Sequence, residues 1–299
     1  ESFGAILTGW VKRVLIDPQF TFSFIGFEWL QPLPGFGMYF YFVLMGFFGL
    51  AIMLGYRYRI AIITYTLLWA GAYFMQKSSY NNHYYLLLLI SFLLIFLPAN
   101  KYASLDVKQN RISEENTMPY WINLLFIIQI AIVYVFASLA KFYPDWLDGT
   151  FTKNLLSGTT SRPFFLELFS QKWFYLFIAY AGILFDLLIV PFLLFKKTRT
   201  LALIASVIFH IFNSITLQIG IFPFFALTFA LFFYEPETIR RLFLRKKPKL
   251  EDENLSQNLY GKRIVYFLMI PYLIIQIALP LRHHFIEGDV LWTEEGHRL

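Results

Sequence analysis

Two apolar runs, Ile60 to Gln76 and Tyr84 to Pro98, carry no charged residue, and a polar heptad separates them: Lys77-Ser78-Ser79-Tyr80-Asn81-Asn82-His83. Runs of this length suit helices in a bilayer, where every backbone polar group must be satisfied internally. A barrel would instead show short alternating strands. The rest of the chain repeats the pattern, and only 15% of its residues are charged, against 58% hydrophobic and 21% aromatic. Soluble domains are about a quarter charged. The expected fold class is therefore all-α: a polytopic transmembrane helix bundle of about eight to nine spans.

Spans are predicted at 37–56, 60–76, 84–98, 119–140, 173–195, 201–219, 221–234 and 263–281. Residues 1–16 read as the stub of an earlier span, joined to Gly35 by an aromatic connector rich in Pro and Gly. The break at Gly220-Ile221-Phe222-Pro223 is too short for a loop, so the spans on either side of it are expected to form a tight hairpin. The chain begins at Glu1 and stops within a polar tail, and it reads as a piece of a longer protein. The expected division is a transmembrane domain over 1–281 and the start of a truncated extramembrane segment over 282–299.

The chain has no cysteine, which excludes disulfides, thiolate nucleophiles and cysteine-ligated metals. No cluster of Asp, Glu and His has metal spacing, and no Gly-rich phosphate loop or nucleophile elbow is present, so no metal is expected. The net charge of +6 is loop charge and does not imply nucleic acid. Alternate loops hold Arg57 and Arg59; Lys101, Lys108 and Arg111; Lys196, Lys197 and Arg199; and the basic stretch from Arg240 to Arg263. Together they contain sixteen of the 25 basic residues. By the positive-inside bias these loops are cytoplasmic. The heptad, the connector 141–172, the Gly220 hairpin and the C-terminal tail then face outward, toward a periplasm or a lumen.

Polar side chains inside or at the edge of a membrane are costly and mark candidate sites. Lys77 stands out because Asn81, Asn82 and His83 accompany it. A lysine withdrawn from water is a competent general base once neutral, and amide and imidazole groups can hydrogen-bond a weakly acidic hydroxyl. His210, Asn213 and Ser214 share one helical face. His210 lies about 13 Å from the outer end of its span, at ~1.5 Å per residue. This stripe is either functional or interhelical hydrogen-bonding glue. Asp186, near mid-span, must be protonated or paired; it is a proton relay or a structural hydrogen-bonding group. Gln129 reads as glue. Lys141 ends a span before Phe142-Tyr143-Pro144-Asp145-Trp146, the arrangement of a snorkelling lysine with an aromatic belt. Neighbouring His283 and His284 diverge too far to hold one ion on a helix.

These residues also occur in a telling order. Lys77 with Asn81-Asn82-His83 is followed by Ala140-Lys141 with Asp145-Trp146, by His210 with Asn213-Ser214 and Ile219-Gly220-Ile221-Phe222-Pro223, and by Leu279-Pro280 with His283. In this the chain resembles the vitamin K-dependent gamma-glutamyl carboxylase family, in its bacterial horizontally transferred transmembrane-domain (HTTM) branch. The resemblance covers residues 17–299, and it implies that the family's β-rich extramembrane domain, which would follow near Trp292, is lacking in this fragment. It implies a membrane enzyme in which a neutral lysine deprotonates vitamin K hydroquinone. Reaction with O2 then yields the base that opens the γ-carbon of glutamate to CO2, and vitamin K leaves as the epoxide. By position, the resemblance makes Lys77 the hydroquinone base and His283 the histidine of epoxidation. Asn81, Asn82, His83, His210, Asn213 and Ser214 would line the quinol or oxygen pocket, and Lys141 would be a further lysine near the site. The implied partners are the lipid bilayer, the quinol and a glutamate-containing peptide or protein. The implied location is a bacterial inner membrane with the site toward the periplasm, or the lumenal side of the endoplasmic reticulum in a eukaryote.

Three alternatives stay open on the sequence. The first is a quinol epoxidase that carboxylates nothing. The second is a transporter in which Asp186, His210 and Lys77 mark a proton or anion path, although no inverted repeat is visible. A scaffold whose polar residues are only glue is a third possibility.

Overall fold

The computed structural model describes residues 2–158, 163–217, 222–248, 263, 265–282 and 285. All regular structure among the described residues is helical. The chain divides into two compact units, Glu1–Met118 and Pro119–Leu299.

The first unit contains α1 (Ser2–Leu7), a π-helical turn at Lys12–Ile16, α2 (Gly37–Leu54), α3 (Tyr58–Met75), a 3-10 turn at Lys77–Ser79, α4 (Asn82–Phe96) and α5 (Leu105–Lys108). Its core is made by Met38, Phe42 and Met45 of α2 against Trp69, Ala72 and Met75 of α3, with Val11 and Leu15 from the π-helical turn and its approach. Phe40, Phe47 and Met53 of α2 and Ile60 and Leu67 of α3 stay exposed. That is the arrangement of helices whose outer faces meet lipid and whose association rests on close packing. The α2–α3 corner depends on Gly55, whose φ of +60° ends α2. A Cβ there would sit 2.4 Å from that of Ser104, so only glycine fits. Asp106 then closes the corner from α5. Its carboxylate accepts the backbone N–H groups of Arg57 at 2.8 Å and Tyr58 at 3.0 Å, and the Asn100 amide at 2.9 Å.

The second unit contains α6 (Tyr120–Leu139), α7 (Pro144–Leu147), α8 (Thr150–Ser157), α9 (Pro163–Ser170), α10 (Lys172–Leu194) and α11 (Arg199–Leu217). It continues with α12 (Phe222–Phe229), a 3-10 turn at Ala230–Phe233, α13 (Pro236–Phe243), a π-helical turn at Val265–Met269 and α14 (Ile270–Leu281). Helices α6 and α10 pack along one another and α11 packs against α10. The α14 side joins α6 through the Tyr272 hydroxyl, which donates to Gln129 Oε1 at 2.6 Å.

Helices α2, α6 and α10, with 18, 20 and 23 residues, are each long and apolar enough to cross a membrane. Four shorter apolar stretches lie at Asn82–Phe96, Arg199–Ile215, Phe222–Phe233 and Val265–Leu281. The protein is thus an all-helical membrane bundle. Several boundaries differ from the sequence expectation for identifiable reasons. Helix α3 starts at Tyr58 rather than residue 60, because Asp106 supplies acceptors for its first amides from 48 residues away. Helix α4 starts at Asn82 rather than residue 84, because Asn81 caps it. The connector 141–172 contains the three short helices α7, α8 and α9. Within the expected span 221–234, Phe222–Phe229 is helical and Ala230–Phe233 tightens into a 3-10 turn. The Gly220 hairpin lies outside the described residues.

Candidate active site

In the first unit the polar heptad is held from below by a residue adjoining it. Gln76 is buried, and its amide accepts the Phe22 N–H at 3.0 Å and donates to the Val14 carbonyl at 3.2 Å. The Lys77 N–H bonds the Phe22 carbonyl at 2.5 Å, and the Tyr80 N–H returns to the Lys77 carbonyl at 3.0 Å. Lys77 is thereby fixed on a tight turn with a half-buried side chain. Beside the turn runs a narrow aromatic crevice lined by Trp10, Trp69, Tyr73, Gln76, Tyr80 and Tyr84. An open cleft of about 420 Å³ adjoins Ser78, with Arg13, Phe20 and Phe22 in its walls.

The two asparagines have different local duties. Asn81 Oδ1 accepts the His83 N–H at 2.7 Å and caps α4. This satisfies one of the donors that a helix N-terminus leaves unpaired. Asn82 is exposed, and its Oδ1 accepts the Tyr80 hydroxyl at 2.8 Å. His83 is half-buried in the first turn of α4.

In the second unit, Tyr134, Ser138 and Lys141 lie at i, i+4 and i+7, one above another on α6 and the turn that follows it. Ser138 donates to the Ile183 carbonyl of α10 at 3.1 Å. Lys141 donates to the Ala137 carbonyl at 2.9 Å and forms an ion pair with Asp186 Oδ2. The Lys141 side chain is 18% exposed and that of Asp186 is 6% exposed. The snorkelling geometry expected of Lys141 is replaced by one that turns the amine inward, because the Asp186 carboxylate needs a partner. Of the two options left for that carboxylate, pairing is the one observed.

The roof over this pair is built by α7. Pro144 occupies its first turn, where a missing N–H costs nothing. Gly149, at φ +82°, turns the chain away into α8; a Cβ there would meet the Tyr175 ring at 2.6 Å. Trp146 is anchored by its indole N–H on the Ala179 carbonyl at 3.0 Å, and Lys141 Nζ lies 5.4 Å from its ring centroid. That is cation–π distance.

One helical turn or more along α6, the Tyr134 hydroxyl and His210 Nε2 are 2.9 Å apart. His210 is 2% exposed, and the rings of Phe185, Phe209 and Phe222 pack around it at centroid distances of 5.9, 5.4 and 6.2 Å. Its Nδ1 is buried, with no hydrogen-bond partner among the described residues. Asn213 and Ser214, at i+3 and i+4 on α11, are half-buried. His283 lies outside the described residues.

Within the second unit the structure therefore brings together Lys141, Asp186 and, through Phe185 and Tyr134, His210. Tyr134 and Trp146 were missed as site residues. The Tyr134/Ser138/Lys141 spacing was visible, but an aromatic hydroxyl in so aromatic a chain is not distinctive. Nor did the sequence join Lys141 to Asp186, although a mid-span carboxylate demands a cation or a proton.

The HTTM domain family model matches residues 1–237. The model for the lumenal domain of vitamin K-dependent gamma-carboxylase matches residues 261–299. No solved structure matches the chain. The succession of membrane helices, the polar site among their aromatic side chains and these two matches lead to one assignment: the chain belongs to the vitamin K-dependent gamma-carboxylase family with an HTTM domain.

Proposed function

We propose that this protein is an integral-membrane enzyme that oxidises a vitamin K-type hydroquinone with dioxygen and couples the oxidation to carboxylation of glutamate. The observation that carries this reading is His210 Nδ1, a buried polar atom without a partner among the described residues, inside a shell of aromatic rings. Such an atom suits a ring hydroxyl in apolar surroundings, and orphaned buried polar groups are rare without a functional reason. When bound, the hydroquinone supplies the reducing power for the balance hydroquinone plus O2 to epoxide plus water, while CO2 replaces the γ-proton of glutamate.

The chain's own residues then have definable tasks. His210, held by Tyr134, would hydrogen-bond a hydroxyl; Phe185, Phe209 and Phe222 would flank the ring and keep water out. Asn213 and Ser214 extend the same polar face. A lysine removes the hydroxyl proton. Lys77, with Asn81, Asn82 and His83, is the base that the family resemblance suggests. The geometry offers a second lysine, Lys141, which is drawn out of water under Trp146 and would act as a base only after its ion-pair proton has passed to Asp186. His283 is assigned to epoxidation on the resemblance alone. The bias of basic residues to alternate loops supports placing this end of the bundle at the periplasmic or lumenal face.

The test is oxygen-dependent epoxide formation from vitamin K hydroquinone by the purified protein, with incorporation of labelled bicarbonate into glutamate peptides as a second readout. Lys141→Ala should lower epoxidation by about 100-fold or more, the range for loss of a general base. A wild-type protein that forms no epoxide sinks the enzyme reading. Epoxidation without carboxylation reduces it to a quinol oxygenase, and a normal rate in Lys141→Ala beside a dead Lys77→Ala returns the base to Lys77.

A further inference from the structure

The chain leaves the apolar stretch Phe222–Phe233 at Tyr234 and turns at once into α13, Pro236–Phe243. This turn is joined to the end of a helix long enough to cross a membrane. Glu235 forms an ion pair with Lys196, two residues beyond α10, and the Arg199 guanidinium lies 5.4 Å from the centroid of the Tyr234 ring. The start of α13 is therefore held at the level where α10 ends, the depth of a membrane–water boundary. Tyrosine is a residue type enriched at that depth.

Helix α13 has two dissimilar faces. Ile239, Leu242 and Phe243 lie at i, i+3 and i+4 and form an apolar face. Leu242 is 57% exposed and Phe243 60% exposed. Glu237, Arg240 and Arg241 lie on the other side. The Arg240 guanidinium donates to both carboxylate oxygens of Glu237 at 2.7 Å and to the Lys247 carbonyl at 2.6 Å. These bonds offset the acidic charge of the helix and fold the following turn back over it. Arg241 shares Glu237, yet its side chain stays 70% exposed. Arg245 and Lys246 are exposed as well, and they form no ion pair among the described residues.

A helix with exposed apolar side chains on one face and basic ones on the other suits the plane of a membrane surface. Its apolar face enters the acyl boundary while its cations meet the headgroups. A zwitterionic surface would take the apolar face and leave the cations unanswered; an anionic surface answers both. We propose that α13 and the turn after it form a binding site for anionic phospholipid. Arg241, Arg245 and Lys246 hold the headgroup, and Leu242 and Phe243 insert beside the acyl chains. Neither the site nor its test depends on the enzymatic activity.

The experiment places the full-length chain in mixed micelles at low salt and titrates phosphatidylglycerol against phosphatidylcholine, with bound lipid counted by native mass spectrometry. The wild type should prefer phosphatidylglycerol, and the preference should fall as salt is raised. Arg245→Gln/Lys246→Gln should weaken phosphatidylglycerol binding about 25-fold, at roughly fivefold for each basic side chain near an anionic surface. A charge-matched control at two exposed residues of the first unit, Arg59→Gln/Lys108→Gln, should leave that binding unchanged. Equal losses in the two double variants overturn the site, because net charge alone would then set the preference. No loss in Arg245→Gln/Lys246→Gln also overturns it, and leaves those charges to the acidic run Glu251-Asp252-Glu253 that follows in the sequence.

A second measurement needs no lipid count. The chain has no cysteine, so Phe243→Cys and Arg241→Cys each provide one position for a fluorescent label in vesicles of phosphatidylglycerol and phosphatidylcholine. The label at position 243 should be quenched by a nitroxide lipid, and the label at position 241 by aqueous acrylamide. Quenching at position 243 by acrylamide and not by the nitroxide would lift α13 off the membrane surface and overturn the proposal.

Discussion

Tyr134 and His210 share a hydrogen bond of 2.9 Å between the phenol oxygen and Nε2, and the other imidazole nitrogen of His210 has no partner among the described residues. The pair therefore joins α6 to α11 and leaves one polar atom of α11 available inside the bundle. The hydrogen bond fixes the ring's plane, and Phe185 and Phe209 hold it edge-on at interplanar angles of 87° and 80°.

Tyr134→Phe keeps the packing against Phe185 but strands His210 Nε2. The expected loss is about 1–3 kcal/mol, the cost of a buried polar group deprived of its partner. It should be measurable as a lower unfolding free energy in mixed micelles. If His210 orients the hydroquinone, the apparent KM for it should also rise. An unchanged KM would show that the tyrosine serves only the helix contact.

Asn81 has a capping duty that competes with a role in binding. Replacing it with Ala should cost about 1 kcal/mol and fray the first turn of α4, whereas Asp or Ser should preserve most of the stability. Hydrogen exchange at the His83 amide reads this directly. If Asn81→Ser is stable yet inactive, Asn81 also touches substrate; if it is stable and active, capping is its whole contribution.

Asp106 makes the first unit sensitive to acid. Burial pushes its carboxyl up, but hydrogen bonds from the Tyr58 amide, Asn100, the Arg57 amide and Arg111 outweigh it and hold the group below its ordinary value near 3.8. A carboxyl lowered by folding contributes stability that is present above the unfolded value and lost as pH falls through the folded one. Thermal stability of the wild type should accordingly decline below about pH 4. Asp106→Asn should be less stable at neutral pH and show a flatter decline in that acid range. A wild-type and a variant curve that run parallel down to pH 2 would contradict the role of this carboxylate.

The apolar runs, the heptad and the alternation of basic loops were enough to specify an all-helical membrane bundle and the order of its segments. In a bilayer, helix position follows from composition alone, since the backbone has no other way to satisfy its hydrogen bonds. The ordered series Asn81-Asn82-His83, Lys141 and His210 likewise pointed to the family from residues alone. Contacts between residues far apart in the chain were not legible. Asp106 begins α3 from 48 positions away, and Asp186 pairs with Lys141 across 45. Both carboxylates needed partners on general grounds, but many loop and helix-end groups could have met that need. Packing chose among them, because it determines which faces of two helices meet, and helical periodicity records only which residues share a face. The heptad therefore defined one candidate lysine by its polar company. Tertiary structure added a second, Lys141, by withdrawing it from water and setting it against a buried carboxylate.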